Sequence, residues 1–369
     1  MPVPVQTARR RCRRAAFLAA LLALALPGGA GAYERGFDPV PGQVSAPPPG
    51  KTVDDAVNFG PPPSLRGAQA SAAGPETPYR TGDGKTVYVA LDGYAPDPAA
   101  DQSLVDFLGS LLHGRELNGL HVLVVIPSRM AGYCGGEAAA CYDPSEQRIF
   151  VVGEEFFGGL PTDYVIAHEY AHHVAFHRRN PPFRGSAYYW GAKRWATYHG
   201  ACPGVASGKY SANPQTGYYR FPGEAWAEAF AYYHYRDGNH PSGHIAWEWH
   251  NGFKPTARSY TLIRTDVLRP WMRNSAVRRR GSVRVGGDRL DFFPIATPLD
   301  GSISVKLTGP RRADLDLFLL DARNRIVDQS TRRGSGERVS SLVCGTRRFK
   351  VAVRAFRGGG AFRLLARRP

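Results

Sequence analysis

The sequence predicts an α+β domain followed by a small all-β domain, and three features of the chain lead to this fold class. Between residues 86 and 235, short apolar segments with the spacing of strands are mixed with longer segments that have helical spacing. Beyond roughly Arg280 the chain consists of strand-like segments about ten residues apart, separated by Gly, Asp, Asn and Arg turns. Residues from Arg273 onward also carry 22 Lys and Arg against 8 Asp and Glu. Such charge asymmetry between two parts of a chain favours two domains.

The spacing of apolar residues predicts the order of elements in the first part. Strands are expected at 86–91, 121–128 and 147–153, and helices at 101–114, 161–179 and 224–235. These elements belong to a predicted α+β domain over residues 81–275, and a β-sandwich is predicted over residues 281–369. Residues 33–80 are rich in Pro, Gly, Ala and Ser, a composition that cannot bury a core. They are predicted to form a disordered leader or pro-segment.

The first 32 residues contain the three parts of a secretory signal peptide. Five arginines between Arg9 and Arg14 precede the apolar run AAFLAALLALAL, and small residues lead to Ala30-Gly31-Ala32. The apolar run is too short to span a bilayer, which argues against a membrane anchor. We therefore expect a secreted, extracellular bacterial protein with no transmembrane segment, exported by either the general or the twin-arginine route.

Cysteine usage agrees with an oxidising compartment. Cys12 leaves with the signal peptide, so four cysteines remain, an even number. Cys134 and Cys141 flank a short loop and are predicted to form a disulfide with each other. A bridge between Cys202 and Cys344 then follows only by elimination.

The segment VIAHEYAHHV, residues 165–174, contains the residues that point to chemistry. On a helix, His168 and His172 leave the same face, and two imidazoles at this spacing can bind one tetrahedral Zn²⁺. Glu169 lies one step around the helix, where a general base for a water molecule is expected. His173 and His177 point in other directions and are predicted to be packing or surface histidines. The alternative is a pair of core histidines beside a solvated glutamate.

A catalytic zinc site needs a third protein ligand. A histidine at the tenth position after His168 would indicate a metzincin, but Arg178 occupies that position. Glu224 and Glu228 instead place two carboxylates on an otherwise apolar helix, where unpaired charges would be costly. We expect Glu224 to be the third ligand and Glu228 to hold a ligand imidazole, whereas the alternative is a solvated helix face.

These motifs resemble those of gluzincin metalloproteases. The segment GEAWAEAFA is similar to the third-ligand helix of lethal-factor-like peptidases, and CGGEAAACYDPSEQRIFVVGEEFFGGLPTDYVIAHEYAHHV resembles bacterial neutral zinc metallopeptidases. The resemblance covers about residues 121–235 and implies a zincin-like domain with a zinc cofactor. The family pattern places no transition-state donor here, and Tyr218 or Tyr219 is our candidate.

The C-terminal part has a separate resemblance. The segments LTGPRRADLDLFLLDARNRIV and GTRRFKVAVRAFRGGGAFRL resemble the bacterial pre-peptidase C-terminal domain. This implies an accessory β-sandwich attached to a secreted peptidase, which is sometimes removed on maturation. Its basic charge suits contact with the cell wall or another anionic polymer, although a GC-rich genome alone would favour arginine. No specific nucleic-acid partner is expected.

The function that these features favour is a secreted zinc endopeptidase acting on peptides or proteins. The metal would polarise the scissile carbonyl and acidify a water, while Glu169 would take the water's proton and pass it to the leaving amine. The segment 147–153 would be the edge strand on which an extended peptide pairs. Two alternatives remain open, namely an inactive zincin-fold module that binds a surface, and a zinc amidase acting on cell-wall peptides.

Overall fold

The computed structural model describes most of the chain after the predicted leader. The described ranges are 73–135, 138–154, 156–157, 160–179, 187–235 and 247–369. The predicted signal peptide and residues 33–72 of the predicted leader lie outside them. Among the described helices, none combines the length and the apolar character needed to cross a bilayer.

The first part of the fold is built on a five-stranded sheet. Its strands are β1 (Thr77–Arg80), β2 (Thr86–Asp92), β3 (Leu120–Val125), β4 (Ala140–Asp143) and β5 (Arg148–Val152), in the spatial order β1-β2-β3-β5-β4. The three central strands are parallel, and β1 and β4 run antiparallel at the two edges. Parallel strands covered on both faces have apolar side chains throughout, and the sequence LHVLVV of β3 follows this rule. Since β1 pairs with β2, order begins before the first strand that the sequence predicts.

The predicted edge strand is not at an edge. The segment 147–153 contains β5, which lies between β3 and β4. The edge is β4, a four-residue strand for which no sequence pattern predicts a strand. A short hairpin turn joins β4 to β5, and Gln147 in this turn has a positive φ of 52°. So short a segment, with the sequence ACYD, has too little periodicity to identify a strand.

The described residues of the first part also form eight α-helices and a small hairpin. The helices are α1 (Pro98–Ser110), α2 (Pro127–Cys134), α3 (Thr162–Phe176), α4 (Lys193–Tyr198), α5 (Ala201–Ala206), α6 (Pro214–Gly217), α7 (Pro222–Tyr235) and α8 (Ala257–Leu268), and the hairpin is β6 (Phe156–Phe157) with β7 (Leu160–Pro161). Helix α1 begins before its predicted start because the Asp97 carboxylate accepts from the backbone amides of Ala99 and Ala100. Helix α2 begins at Pro127, inside the predicted strand 121–128, because proline suits the first turn of a helix.

Helices α3 and α7 pack against each other inside the first core. Every residue of α3 except Asp163 and Phe176 is buried, and α7 is buried from Pro222 to Ala231. The Trp226 indole N–H donates to the Ala171 backbone carbonyl at 3.3 Å, which fastens the two helices together. Polar side chains on these helices must therefore find partners inside the protein.

The second part consists of two four-stranded antiparallel sheets. Its strands are β8 (Ser275–Arg284), β9 (Leu290–Thr297), β10 (Gly301–Thr308), β11 (Asp314–Leu320), β12 (Ile326–Ser330), β13 (Arg338–Val343), β14 (Arg347–Arg357) and β15 (Gly359–Arg368). The sheets have the orders β13-β10-β15-β8 and β12-β11-β14-β9. Inward residues of both sheets, such as Val305 and Val353, form one hydrophobic cluster separate from the first core. This arrangement is compatible with the predicted sandwich.

Both disulfides considered from the sequence are present. Cys134 pairs with Cys141 as predicted, and this bridge attaches the end of α2 to the edge strand β4. Cys202 pairs with Cys344, so α5 of the first part is covalently joined to the turn between β13 and β14. Near this second bridge, the Asp300 backbone amide donates to Thr197 Oγ1 at 3.1 Å. The two parts are therefore joined by more than the linker between α8 and β8.

Candidate metal site

The structure brings the three predicted ligands together. His168 and His172 project from α3, and Glu224 lies in the first turn of α7. Glu224 Oε2 lies 3.1 Å from His168 Nε2 and 3.2 Å from His172 Nε2. One nitrogen or oxygen atom from each residue lies within 4.8 Å of the others, and all three residues are buried. These residues could hold a metal ion.

The chemistry of the three donors fits a cation. His168 Nδ1 lies 3.4 Å from Glu228 Oε2, so a proton on Nδ1 is directed at that carboxylate. With one proton on Nδ1, His168 Nε2 faces Glu224 Oε2 across 3.1 Å, and either a second proton on Nε2 or a metal ion must lie between these two atoms. Ligands 2.0–2.1 Å from a tetrahedral Zn²⁺ lie about 3.3 Å apart, close to the separations found here.

The same contacts shift the pKa values of the site. Burial opposes charge on His168, but hydrogen bonds to Glu224 and Glu228 outweigh it and raise the pKa of the imidazole to about 10. Burial also opposes the charge on Glu224, yet His172 and His168 hold the pKa of its carboxyl well below the usual range. The site thus favours a positive charge beside an ionised Glu224, whether a proton or a metal ion provides it.

Glu228 holds His168 rather than joining the three donors. The Tyr164 hydroxyl donates to Glu228 Oε1 at 2.5 Å, while Oε2 faces His168 Nδ1. Burial, followed by the charge of Glu228, raises the pKa of Tyr164 well above its ordinary value, so this hydroxyl keeps its proton. Both oxygens of Glu228 therefore have partners, which fixes the orientation of the His168 ring. No sequence pattern indicated this role for Tyr164.

Glu169 lies beside the three donors without belonging to them. Its carboxylate is buried and lies close to the backbone of Tyr142 on β4. Burial raises the pKa of Glu169, and the charges of His168 and His172 oppose this shift. The residue expected to act as the base is thus next to both the ligands and the edge strand.

The two candidate tyrosines occupy different environments. The Tyr218 hydroxyl is buried, and it meets the geometry of a hydrogen bond with no residue in the described ranges. Burial, then the charges of Glu224 and Glu169, raises the pKa of Tyr218 well above its ordinary value. Tyr219 is 52% exposed, and its ring packs against Trp249. The structure therefore brings Tyr218, and not Tyr219, to the candidate site.

The two remaining histidines of the motif helix are outside the site. His173 is fully buried, its Nδ1 lies 2.9 Å from the Tyr142 hydroxyl, and its Nε2 lies 2.8 Å from the Glu116 backbone carbonyl. Nε2 must therefore carry the proton, and Nδ1 accepts from the hydroxyl. Burial lowers the pKa of His173 to about 4. His177 is exposed. His173 is thus the packing residue that its position predicted.

Comparisons with known proteins assign no family to the chain. No family model matches it, and no curated protein matches it. Similar solved structures include a mitogen derived from Yersinia pseudotuberculosis, with 12% identity over 26% of this chain and 87% of that chain (TM-score 0.21). The periplasmic g-type lysozyme inhibitor PliG of Aeromonas hydrophila has 10% identity over 26% of this chain and 86% of its own (TM-score 0.21).

A third similar structure is the pre-peptidase C-terminal domain of a collagenase from Bacillus anthracis. It has 14% identity over 25% of this chain and 88% of that domain, with a TM-score of 0.20. At TM-scores this low, none of these likenesses supports a conclusion about fold or function. The gluzincin resemblance accordingly stays a hypothesis that rests on the motif.

Proposed function

We propose that this protein is a secreted zinc-dependent endopeptidase. The observation that carries the proposal is the buried convergence of His168, His172 and Glu224, with Glu169 beside them. The secretory signal features and the two disulfides support an extracellular setting.

The chain's own residues would hold the metal in a defined way. His168 and His172 would bind through Nε2, and Glu224 through its carboxylate, while Glu228 keeps the His168 proton on Nδ1. When bound, Zn²⁺ polarises a carbonyl group and lowers the pKa of a water molecule.

Glu169 moves the proton in the proposed reaction. Its carboxylate takes a proton from the attacking water, whose oxygen forms a bond to the carbonyl carbon of the peptide. As the C–N bond breaks, Glu169 gives that proton to the nitrogen, which leaves as an amine. One peptide bond and one water are thereby converted into a carboxylic acid and an amine, and transfer of the acid proton gives a carboxylate and an ammonium group. The backbone of Tyr142, which lies beside the Glu169 carboxylate, favours its ionised form.

Tyr218 is our candidate for stabilising the transition state. Its hydroxyl retains its proton at neutral pH because burial and two carboxylates raise its pKa. Because this hydroxyl is buried beside Glu224 and keeps its proton, it would donate to the carbonyl oxygen as that oxygen gains negative charge.

The substrate would bind along β4. This strand is the edge of the sheet, and the backbone of its Tyr142 lies beside Glu169. An extended peptide can add to such an edge through main-chain hydrogen bonds. The Cys134–Cys141 bridge holds β4 in place for this pairing.

The proposal is tested with Glu169→Gln. This change preserves shape but removes the base, so the variant should fold, retain its zinc and lose at least about 100-fold in peptide hydrolysis. Zinc content and cleavage of a peptide library are measured for both proteins, with and without a chelator. A wild-type protein that binds zinc but shows no chelator-sensitive cleavage would favour the inactive binding module. Cleavage confined to cell-wall peptides would favour the amidase.

A further inference from the structure

One outer face of the sandwich carries only positive charge. Exposed residues alternate with buried or half-buried ones along β10, β13 and β15, and the register with β15 places Arg278, Arg280 and Arg284 of β8 on the same side of the sheet. The exposed cations on this face are Arg278, Arg280, Arg284, Lys306, Arg338, Arg363 and Arg367. These seven residues define the basic face. The four strands are described in full, and none of them places an Asp or Glu on this face.

The strand register sets cations directly opposite each other. Arg280 pairs with Arg363 across β8 and β15, and Lys306 pairs with Arg338 across β10 and β13. Like charges in directly opposed positions destabilise a sheet. Among the described residues, no carboxylate forms an ion pair with any of these four side chains. The arrangement therefore has a cost to stability that binding of an anion would remove.

The outer face of the other sheet shows that this pattern is not a general property of the sandwich. There Arg354 Nη2 forms an ion pair with Asp316 Oδ2 at 2.7 Å, and the Arg354 guanidinium lies over the Phe318 ring. Phe292 and Ile326 add exposed apolar surface. That sheet thus carries both signs of charge, at least one ion pair and exposed apolar side chains, whereas the basic face carries charge of one sign only.

We propose that the basic face binds an extended phosphodiester polymer without bases, with the chemistry of the poly(glycerol phosphate) chains of a cell wall. Side chains two residues apart on a strand are about 6.6–6.8 Å apart, close to the length of one extended glycerol-phosphate repeat. Arg278 and Arg280 have this spacing on β8. Arginine also matches a phosphate group with two parallel hydrogen bonds.

The composition of the face argues against two other polyanions. Single-stranded nucleic acid binds on aromatic side chains that stack with its bases, and the basic face carries no aromatic residue. A membrane surface is usually bound with the help of apolar side chains that insert among the lipids. Leu342 and Leu365 are the only large apolar residues on this face, and Leu365 is half-buried.

The test measures binding of fluorescently labelled poly(glycerol phosphate) to the full exported chain by anisotropy. We expect affinity to fall on the order of 10- to 100-fold between 50 and 200 mM salt, because bound cations are released from the polymer. The triple variant Arg278→Gln, Arg280→Gln, Arg363→Gln should bind at least about 10-fold more weakly. A second variant, Lys306→Gln with Arg338→Gln, removes the other opposed pair and tests the same face independently.

The matched control changes three exposed arginines outside the face. Arg311→Gln, Arg323→Gln, Arg348→Gln alters the net charge equally and should leave affinity within about twofold. Equal weakening by both triple variants would show that only net charge matters and would overturn the assignment. The proposal also fails if the wild type does not bind the polymer, or if single-stranded DNA of equal phosphate number or phosphatidylglycerol vesicles bind more tightly. The result does not depend on zinc or on peptidase activity.

Discussion

Charged side chains have opposite environments in the α+β part and on one face of the sandwich. In the α+β part, ionisable groups lie inside the core and meet partners of opposite sign or hydrogen-bond partners. Glu116 pairs with Arg178 at 3.0 Å, and Asp266 pairs with Arg194 at 2.7 Å. On the basic face of the sandwich, the arginines are exposed, and two pairs of cations lie directly opposite each other.

This difference shows how burial determines what a charge can do. A buried charge is expensive unless a partner is positioned for it, so its location is fixed and salt has little access. An exposed charge costs little by itself and is screened by salt, so it can serve long-range attraction to a partner. The variants described below test the buried charges and the exposed charges separately.

The largest effect is expected at the metal ligands. Glu224→Ala should lose most metal binding, because one of three donors disappears from a buried site. Glu228→Gln should weaken binding only about 10- to 100-fold, because it alters the partner of His168 rather than a ligand. Competition with a chromophoric chelator measures both affinities. Equal affinity of Glu224→Ala and wild type would refute the ligand assignment.

The next effect concerns a buried ion pair. Arg178→Met removes the partner of Glu116 and leaves that carboxylate uncompensated, so the free energy of unfolding should fall by about 3–5 kcal/mol. Adding Glu116→Gln should recover part of this loss. Chemical denaturation at 25 °C provides the measurement, and Arg325→Met serves as control. The Arg325 side chain is 71% exposed, so its pair with Asp321 contributes little and no measurable change is expected there. Comparable losses of stability in Arg178→Met and Arg325→Met would contradict the expected difference between a buried and a surface ion pair.

A buried lysine near the junction of the two parts gives a pH-dependent effect. Burial lowers the pKa of Lys193 to about 8, against the attraction of Asp300 and Asp266. The unfolded chain therefore binds more protons than the folded one above pH 8, and stability should rise with pH toward 10.5. The gain between pH 7 and 9.5 is about 2 kcal/mol. Lys193→Met should lack this rise, and equal pH profiles for the two proteins would show that another group is responsible.

The smallest expected effect is a substitution that increases stability. Arg280→Gln removes a cation directly opposite Arg363, so stability should increase by a few tenths of a kcal/mol at low salt. The gain should vanish in high salt because the repulsion is between exposed groups. Thermal unfolding at two salt concentrations measures it, with Arg323→Gln as the matched change outside the face. A loss of stability in Arg280→Gln would mean that this arginine has a structural partner.

Local sequence determined the features that depend on neighbours along the chain. His168 and His172 share a face because any helix places residues four apart on one side, and the apolar run around them predicts that helix. The Cys134–Cys141 bridge closes a short loop. Alternation in β10 predicts its exposed face without reference to any other strand.

Only the tertiary structure decided which distant residues meet. Helical spacing alone does not distinguish Glu224 from Glu228 as the ligand. The packing of α7 on α3 brings Glu224 to Nε2 of both imidazoles and Glu228 to Nδ1 of His168. Tyr218 and Tyr219 are adjacent in sequence, yet the Tyr218 hydroxyl is buried and the Tyr219 ring is exposed. The seven cations form one face because of strand order and register, which depend on contacts far apart in sequence. Periodicity reports which side of an element is buried, whereas the identity of its neighbour follows from the packing of the whole chain.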